Sequence, residues 1–371
     1  MRSTCSELLE LCRRGEPWTP SLLDRAIQED DGRAFLSIVV ERLGDLFDPR
    51  LCRVYDRLFT EVIARVVPEL APRVRKAPAA SAPPKADRVY VLSRVTLGAD
   101  VAVTSVMLDA AKRRYPHAEI IFAGPRKCYE MFECDTRIGH VEAPYARSGS
   151  LGERLRASAA LWFDDGLVID PDSRLTQLGL ISVCDPERYL FFESRSYGAD
   201  SGERLSDLAA RWANEVLGVD GARPFIAPRA AAGEAPDVTV SLGVGENESK
   251  RLGDDFERDV LSLLAGRDVR IDRGASAAER ARVDRAILPG MRTHDGAFAP
   301  FAAEIARSKL YVGYDSAGGH VASACGVPQI SIFAGAVSDR FFERWKPRGH
   351  VVRARDAGVL ENIRAILSGT R

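Results

Sequence analysis

Short apolar runs typical of β-strands alternate with helical patterns through most of this chain, and this alternation restricts its fold more than any other feature. The runs fall into two blocks, residues 88–220 and 237–371, with Val89–Leu92 and Gln329–Phe333 as clear examples. Strands that alternate with helices pair in parallel, with helices on both faces of the sheet. The sequence therefore predicts two doubly wound α/β domains in tandem, with the ligand site in the cleft between them.

The residues before the first block show helical patterns only. Residues 1–76 carry apolar stripes at helical spacing, such as the one that includes Leu58 and Val62. Each stripe must be buried, so these residues predict a helical domain, either a small bundle or a cap on the next domain. Residues 77–87 are rich in Ala and Pro and predict a linker, and a similar break over 219–236 separates the two α/β domains.

Composition excludes several classes of protein. The 52 Lys and Arg residues nearly balance the 53 Asp and Glu residues, which argues against a nucleic-acid binder. No apolar run approaches the roughly 20 residues of a membrane span, and the N-terminus lacks an apolar signal core, so we expect a cytoplasmic protein. The basic stretch Arg73–Lys76 indicates either a solvated helix end or a peripheral contact with an anionic membrane. Seven scattered cysteines without a Cys-x-x-Cys pair predict free thiols.

A stretch near the C-terminus carries a candidate phosphate site. A strand leads into Asp315 and Ser316, and Gly318, Gly319 and His320 then open a helix of small residues. Bare backbone N–H groups and the helix dipole at such an N-terminus suit a diphosphate, and an imidazole in the first turn can touch it. The alternative is a tight strand-to-helix turn that Asp315 or Ser316 caps, with a purely structural His320.

This stretch resembles glycosyltransferase family 9, the lipopolysaccharide heptosyltransferases. The family motif is Asp-(Ser/Thr)-Gly-x-x-His, then an Ala-rich helix, Gly-Val-Pro, and a strand into Phe-Gly. The matching residues are Asp315, Ser316, Gly319, His320, Gly326, Val327, Pro328 and Phe333. Ala317 and Ala334 depart from the motif. The resemblance spans residues 88–354 and implies a GT-B fold: two Rossmann-like domains facing a cleft, an N-terminal one for the acceptor and a C-terminal one for a nucleotide-diphosphate sugar, with an ADP-sugar favoured.

Two further loops follow the family's order. The loop after the first strand resembles the family's Gly-Asp loop with Ala99 inserted, which implies that Asp100 is the base that takes the acceptor hydroxyl's proton. The alternative is a helix N-cap. The first loop of the second α/β domain contains Gly243 and Gly245, which permit close backbone approach, and it ends in Lys250. The resemblance implies that Lys250 lies beside the donor diphosphate and offsets the charge of the leaving group; the alternative is a solvated lysine.

Asp170, Pro171 and Asp172 form an Asp-x-Asp pattern at a strand end. In the other large glycosyltransferase fold, such a pair holds a metal ion on the nucleotide diphosphate. No second metal ligand is evident, and two successive nucleotide-binding domains favour a metal-free enzyme, so we expect no metal and no other cofactor. Asp170, Asp172 and Arg174 are then expected on the acceptor side of the cleft, where Arg174 can pair with an anionic acceptor.

These expectations combine into a functional hypothesis. The chain is predicted to be a metal-independent, inverting glycosyltransferase that moves a heptose or related sugar to a hydroxyl of a glycan, glycolipid or protein, as in lipopolysaccharide or other cell-surface glycan synthesis. One alternative is a GT-B enzyme with another nucleotide sugar or a protein acceptor. The other is a non-catalytic binding or scaffold protein that keeps the fold and uses its helical domain as the interface.

Overall fold

The computed structural model describes residues 3–74, 78–79, 81–143, 145, 149–245, 248–335, 337–356 and 358–369. The expected start of the linker at residue 77 and the end of the basic stretch at residues 75–76 lie outside these ranges. The strands are β1 (Arg88–Leu92), β2 (Glu119–Gly124), β3 (Ile138–Glu142), β4 (Leu167–Asp170), β5 (Tyr189–Phe191), β6 (Val238–Ser241), β7 (Val269–Asp272), β8 (Arg292–His294), β9 (Leu310–Tyr314), β10 (Gln329–Phe333) and β11 (His350–Arg353). The helices are α1 (Thr4–Arg14), α2 (Pro20–Gln28), α3 (Glu41–Gly44), α4 (Pro49–Val66), α5 (Leu97–Ala99), α6 (Ser105–Arg114), α7 (Arg126–Tyr129), α8 (Leu151–Ala159), α9 (Leu205–Leu217), α10 (Asp254–Ser262), α11 (Ala277–Ala286), α12 (Phe298–Ile305), α13 (Ala317–Cys325), α14 (Asp339–Trp345) and α15 (Val359–Gly369).

The strands form two parallel sheets, as the alternating pattern predicts. The first has the order β3-β2-β1-β4-β5 and the second the order β11-β10-β9-β6-β7-β8. The central strands β1, β6 and β9 are almost wholly buried, because helices cover both faces of each sheet. Strand order reverses beside β1 in the first sheet and beside β6 in the second, and ligands bind beyond the carboxyl ends of strands at such points. The predicted doubly wound architecture with an N-terminal helical region is confirmed.

The helical region is built onto the first α/β domain. Its apolar core continues into Leu151 and Leu155 of α8 and into Leu178 of the loop after β4. Tyr55 on α4 donates a hydrogen bond to the carbonyl oxygen of Gln177 at 3.2 Å. Since one core serves both parts, the region is a cap on the neighbouring domain, which is one of the two arrangements that the sequence left open.

The two α/β domains also pack against each other. Helix α13 of the second domain contacts α5 and the π-helical turn Asp100–Thr104 of the first. The sequence patterns missed α14, which bridges the domains: Arg340 donates to the carbonyl oxygen of Phe47 at 2.8 Å, and Arg344 donates to that of Ala199 at 2.7 Å. The strand β8 was also missed, because three residues carry too little periodicity to recognise. None of the helices in the described ranges has both the length and the apolar character that crossing a bilayer requires.

Candidate active site

A cleft of about 630 Å³ opens between the two α/β domains at the carboxyl ends of β6, β7 and β9. That volume is in the usual range for small-molecule sites of roughly 300–1,000 Å³. Most of the predicted donor-site residues line it: Gly243, Gly245, Lys250, Asp315, Ser316 and His320. The structure therefore brings these predicted residues together at one edge of the second sheet.

The N-terminus of α13 opens into this cleft without a side-chain cap. Ser316 precedes the helix, but its hydroxyl makes no capping bond to the first turn. Its Oγ is buried and has no hydrogen bond of normal geometry within the described residues. The first N–H groups of a helix have no partner inside it, so those of Ala317 and its neighbours remain available to an anion in the cleft.

The two glycines of α13 act through the backbone. A Cβ on Gly318 would lie 2.3 Å from Tyr311 Oη, and one on Gly319 would lie 2.9 Å from Ser331 Oγ. Both missing side chains therefore point toward the sheet, where they let the helix pack closely on β9 and β10. The predicted contact of Gly318 and Gly319 with a diphosphate can only be made by their N–H groups.

Lys250 and Asp315 form an ion pair at the mouth of the phosphate position. Lys250 Nζ lies 2.8 Å from Asp315 Oδ2 and 3.3 Å from the carbonyl oxygen of Asp315. A carboxylate repels a diphosphate, so Asp315 does not fit the direct contact that the sequence predicted. Its contacts instead hold the Lys250 ammonium beside the start of α13.

His320 lies in the first turn of α13 and contacts Trp345 edge-on, with ring centroids 5.7 Å apart. Burial lowers the pKa of His320, the charge of Asp315 acts in the opposite sense, and that of Lys250 lowers it further. The ring is therefore neutral at pH 7 and offers one N–H donor toward the cleft.

Asp100 does not face the cleft, and its predicted placement is wrong. The residue has no solvent exposure. Its carboxylate accepts hydrogen bonds from Ser93 Oγ at 2.7 Å, the Arg94 N–H at 2.6 Å and Thr104 Oγ1 at 2.7 Å. Burial raises its pKa, and these hydrogen bonds oppose that effect. No acceptor hydroxyl can reach this carboxylate without unfolding the loop.

The local helix geometry explains this difference. Ala99, immediately before Asp100, lines the cleft. Successive helical residues point about 100° apart, so the next side chain turns into the core. The chain then passes through the π-helical turn that starts at Asp100, and such turns commonly absorb one extra residue in a helix. The residue that the sequence analysis identified as inserted, Ala99, thus faces the cleft in place of the expected aspartate.

The Asp-x-Asp carboxylates are both engaged elsewhere. Asp170 is fully buried and accepts from the Ser173 N–H, Thr176 Oγ1 and Tyr189 Oη, each at 2.6 Å. Burial raises the pKa of Asp170 to about 6. It does not line the acceptor side as predicted, because this network holds it inside the domain.

Asp172 and Arg174 border a second cavity, on the helical side of the first domain. Asp172 forms a buried ion pair with Arg195, with Nε 3.0 Å from Oδ2. Arg174 is thus accessible from this cavity, and its predicted role on the acceptor side stays a prediction, whereas the Asp172 carboxylate is engaged by Arg195. Among the described residues, no group of three or more His, Cys, Asp or Glu side chains is arranged to hold a metal ion.

Several cleft residues were not anticipated. Asp272 ends β7, next to β6, and its carboxylate accepts the Gly274 N–H at 3.1 Å. Burial raises its pKa. Its place at a strand end beside the reversal of strand order was the available signal. Phe298 and Trp345 add aromatic surface, and Trp345 lies on the missed helix α14.

Comparisons with known proteins agree with this geometry. Residues 264–364 match the model of glycosyltransferase family 9 (heptosyltransferase). No curated protein matches the chain significantly by sequence.

Three solved structures are similar to the chain. The E. coli heptosyltransferase WaaC with ADP has a TM-score of 0.57 and 15% identity, over 76% of this chain and all 100% of that one. A family 9 glycosyl transferase from Veillonella parvula has a TM-score of 0.53 and 18% identity, over 78% and 92% of the two chains. The E. coli ADP-heptose lps heptosyltransferase II has a TM-score of 0.52 and 17% identity, over 76% and 98%. The chain thus has the two-domain GT-B fold of these structures, and its residues 264–364 carry the sequence pattern of glycosyltransferase family 9 (heptosyltransferase).

Proposed function

We propose that this protein transfers a sugar from a nucleotide-diphosphate sugar to a hydroxyl group of an acceptor. The observation that best supports this function is the convergence of Lys250 and the uncapped start of α13 in one interdomain cleft. A fixed cation and backbone N–H groups stabilise a departing diphosphate. ADP-heptose is the proposed donor, since one similar structure is a heptosyltransferase with ADP and another is an ADP-heptose lps heptosyltransferase.

The proposed reaction is a single in-line displacement. The acceptor oxygen bonds to the anomeric carbon on the face opposite the diphosphate, and the bond from that carbon to the phosphate oxygen breaks. Its electron pair stays with the diphosphate, and the proton of the acceptor hydroxyl passes to a base. Because the acceptor oxygen attacks from the opposite face, the configuration at the anomeric carbon inverts. Lys250 and the N–H groups of Gly318 and Gly319 would offset the charge that develops, and His320 would donate one hydrogen bond.

We further propose that this transfer needs no metal ion. The carboxylates of Asp170 and Asp172 are held in buried hydrogen bonds and an ion pair, so neither fits the role of a metal ligand on a diphosphate. Lys250 supplies positive charge at the place where a metal ion would otherwise act.

One observation favours the non-catalytic alternative. Asp100, the base implied by the resemblance, is buried and saturated with hydrogen bonds. A protein that binds a nucleotide sugar but has no base beside it would be a binding module. Release of ADP from ADP-heptose distinguishes the two functions, because a binding module does not turn its ligand over.

Calorimetry with ADP, UDP and GDP, first with EDTA and then with Mg²⁺, tests the donor site. We expect selective binding of ADP in EDTA, with weaker binding by Lys250→Ala and His320→Ala. Failure of all three nucleotides to bind would refute the donor site. Binding that requires Mg²⁺ would refute the metal-independent proposal and leave the nucleotide site intact.

A further inference from the structure

A second cavity, of about 380 Å³, lies between the helical region and the first α/β domain. It shares Thr96, Ala99 and Trp345 with the donor cleft, so the two spaces meet at these three residues. A molecule bound in the second cavity can therefore extend to the edge of the donor cleft. The helical region, which lies outside the family resemblance, forms one wall of this cavity.

Asp45, at the C-terminal end of α3, lines the second cavity. Its carboxylate has no hydrogen bond or ion pair within the described residues, and it is open to solvent inside the cavity. The cavity walls surround the Asp45 carboxylate although water reaches it, and this partial desolvation raises its pKa to about 6. The charge of Glu41 adds to this rise, whereas those of Arg174, Lys250 and Arg94 oppose it. Lys250, whose charge acts on Asp45, is a residue of the donor cleft.

Arg174 faces the same cavity and is also unpaired within the described residues. It lies beside α3, since a Cβ on Gly44 would be 3.9 Å from Arg174 Nη2. The other four arginines that line the cavity have partners. Arg195 pairs with Asp172 and Arg33 with Asp30. Arg94 donates to Ser194 Oγ at 2.9 Å, and Arg154 donates to Tyr145 Oη at 3.1 Å. Among the described residues that line this cavity, the carboxylates of Asp45 and Glu41 and the guanidinium of Arg174 therefore have no hydrogen-bond or ion-pair partner. A free carboxylate and a free guanidinium are what a base and an anion-binding group require.

We propose that Asp45 is the general base of this protein and that the second cavity binds the acceptor. This inference rests on the proposed glycosyl transfer. The acceptor O–H proton passes to the Asp45 carboxylate as the acceptor oxygen bonds to the anomeric carbon. The bond from that carbon to the diphosphate breaks, and its electron pair leaves with ADP. Arg174 binds an anionic group, a carboxylate or a phosphate, carried by the same acceptor.

The position of Asp45 also accounts for the base that the buried Asp100 cannot supply. The loop that would present the expected base instead presents Ala99, whose methyl group borders both cavities. Removal of a carboxylate from that position leaves room for one from the opposite wall. Asp45 comes from that wall, and its raised pKa suits a base that acts near neutral pH.

Two ion pairs, Arg195 with Asp172 and Arg33 with Asp30, lie in the cavity that Asp45 lines. Several further charged groups face Asp45 and influence its pKa. The helical region contributes Glu41, the first α/β domain contributes Arg94, Arg154 and Arg174, and the second contributes Lys250. The cations exceed the other acid in number, so they hold the ionised form of Asp45 at neutral pH. A base of this kind must lose its proton before it can act, so turnover should rise with pH through about 6.

The test uses ADP-heptose with water as the acceptor and measures ADP release by the full chain from about pH 5 to pH 8, with ADP affinity measured separately by calorimetry. We expect Asp45→Asn to lower ADP release by about 100-fold or more and to abolish its rise with pH, while ADP affinity stays unchanged. Asp45→Glu should restore part of the rate. Asp31→Asn is the matched control, because Asp31 is exposed in the same region and has a φ of 54° that Asn also adopts.

The outcomes separate the two proposals. Equal ADP release by Asp45→Asn and the wild type would overturn the assignment of the base. Binding of ADP without any release by the wild type would refute the proposed transfer and favour the non-catalytic alternative, whereas release by the wild type that Asp45→Asn leaves unchanged overturns the base alone. Failure of the wild type and both variants to bind ADP would instead refute the proposed function.

Discussion

Gly98 of the first α/β domain lies directly against His320 of the second. A Cβ on Gly98 would be 3.1 Å from His320 Cδ2 and 3.3 Å from the Cα of Ala317. The hydrogen side chain therefore lets the loop after β1 touch the first turn of α13. Since that turn offers the N–H groups of the proposed donor site, we expect the contact to link domain packing to nucleotide binding.

We expect Gly98→Ala to weaken ADP binding about fivefold and to lower the melting temperature, because the added methyl group must displace His320 or α13 at a cost of about 1 kcal/mol. Calorimetry and thermal unfolding measure the two effects. Gly202→Ala is the control, since no heavy atom lies within 4 Å of its added Cβ. Equal ADP affinity in Gly98→Ala and Gly202→Ala would show that the domain contact does not influence the donor site.

Lys250→Ala should reduce ADP affinity by about tenfold or more, because the loss of a charge-assisted hydrogen bond costs about 1.5–3 kcal/mol. The effect is enlarged because Asp315 then faces the diphosphate without a neutralising partner. Lys309→Ala serves as the control: this exposed lysine pairs with Asp237 at 2.7 Å, at the opposite end of β9. An ADP affinity that is the same in both variants would remove Lys250 from the donor site.

Ser316→Ala should weaken ADP binding while it leaves the free energy of unfolding almost unchanged. The Ser316 hydroxyl caps nothing in the described structure, so its removal should change the free energy of unfolding by less than about 0.5 kcal/mol while ADP affinity falls several-fold. Ser150→Ala should do the reverse, because Ser150 Oγ accepts the Glu153 N–H in the capping box of α8, and such caps contribute about 1 kcal/mol. Urea unfolding and ADP calorimetry on both variants measure the contrast. A large loss of stability in Ser316→Ala would mean that its hydroxyl has a structural role.

The alternation of strands and helices was enough to predict both sheets, because parallel strands buried on two faces are continuously apolar and easy to recognise. The grouping of the proposed donor-site residues at one sheet edge was predictable for a related reason. Asp315, Ser316 and His320 follow one strand, and strand ends converge at one edge of a parallel sheet. Local sequence therefore carries the information that places these residues together.

The side into which the Asp100 side chain points was not predictable in the same way. Its neighbours Gly98 and Ala99 show where the helix starts, but a π-helical turn decides which of two adjacent side chains faces the cleft. Asp45 presents the opposite case. No short pattern marks it, since its importance comes from the packing of α3 against a domain more than a hundred residues away in the chain. Contacts of that range are fixed by tertiary structure alone.

Asp100→Asn should lower stability more than it lowers the activity of the molecules that remain folded. The amide cannot accept all three hydrogen bonds from Ser93, Arg94 and Thr104, and a buried donor left without a partner costs about 1–3 kcal/mol. We expect a loss of this size in urea unfolding, with ADP release per folded molecule within about tenfold of the wild type. A fully stable variant with no turnover would restore Asp100 as the base.

Asp45→Asn should make the protein more stable at neutral pH. The pKa of Asp45 rises from 3.8 to about 6 on folding, so between these values the folded state binds more protons than the unfolded state. Stability contributed by this group is therefore complete at low pH and is lost as pH rises through about 6. Because the carboxylate is exposed within its cavity, solvent screening reduces the penalty to about 1 kcal/mol. Urea unfolding of Asp45→Asn and the wild type should show this advantage for the variant at about pH 7.5 and none at about pH 4. A variant that is less stable than the wild type at pH 7.5 would show that Asp45 stabilises the fold, whereas a gain in stability with a loss of turnover is the behaviour of a residue kept for function.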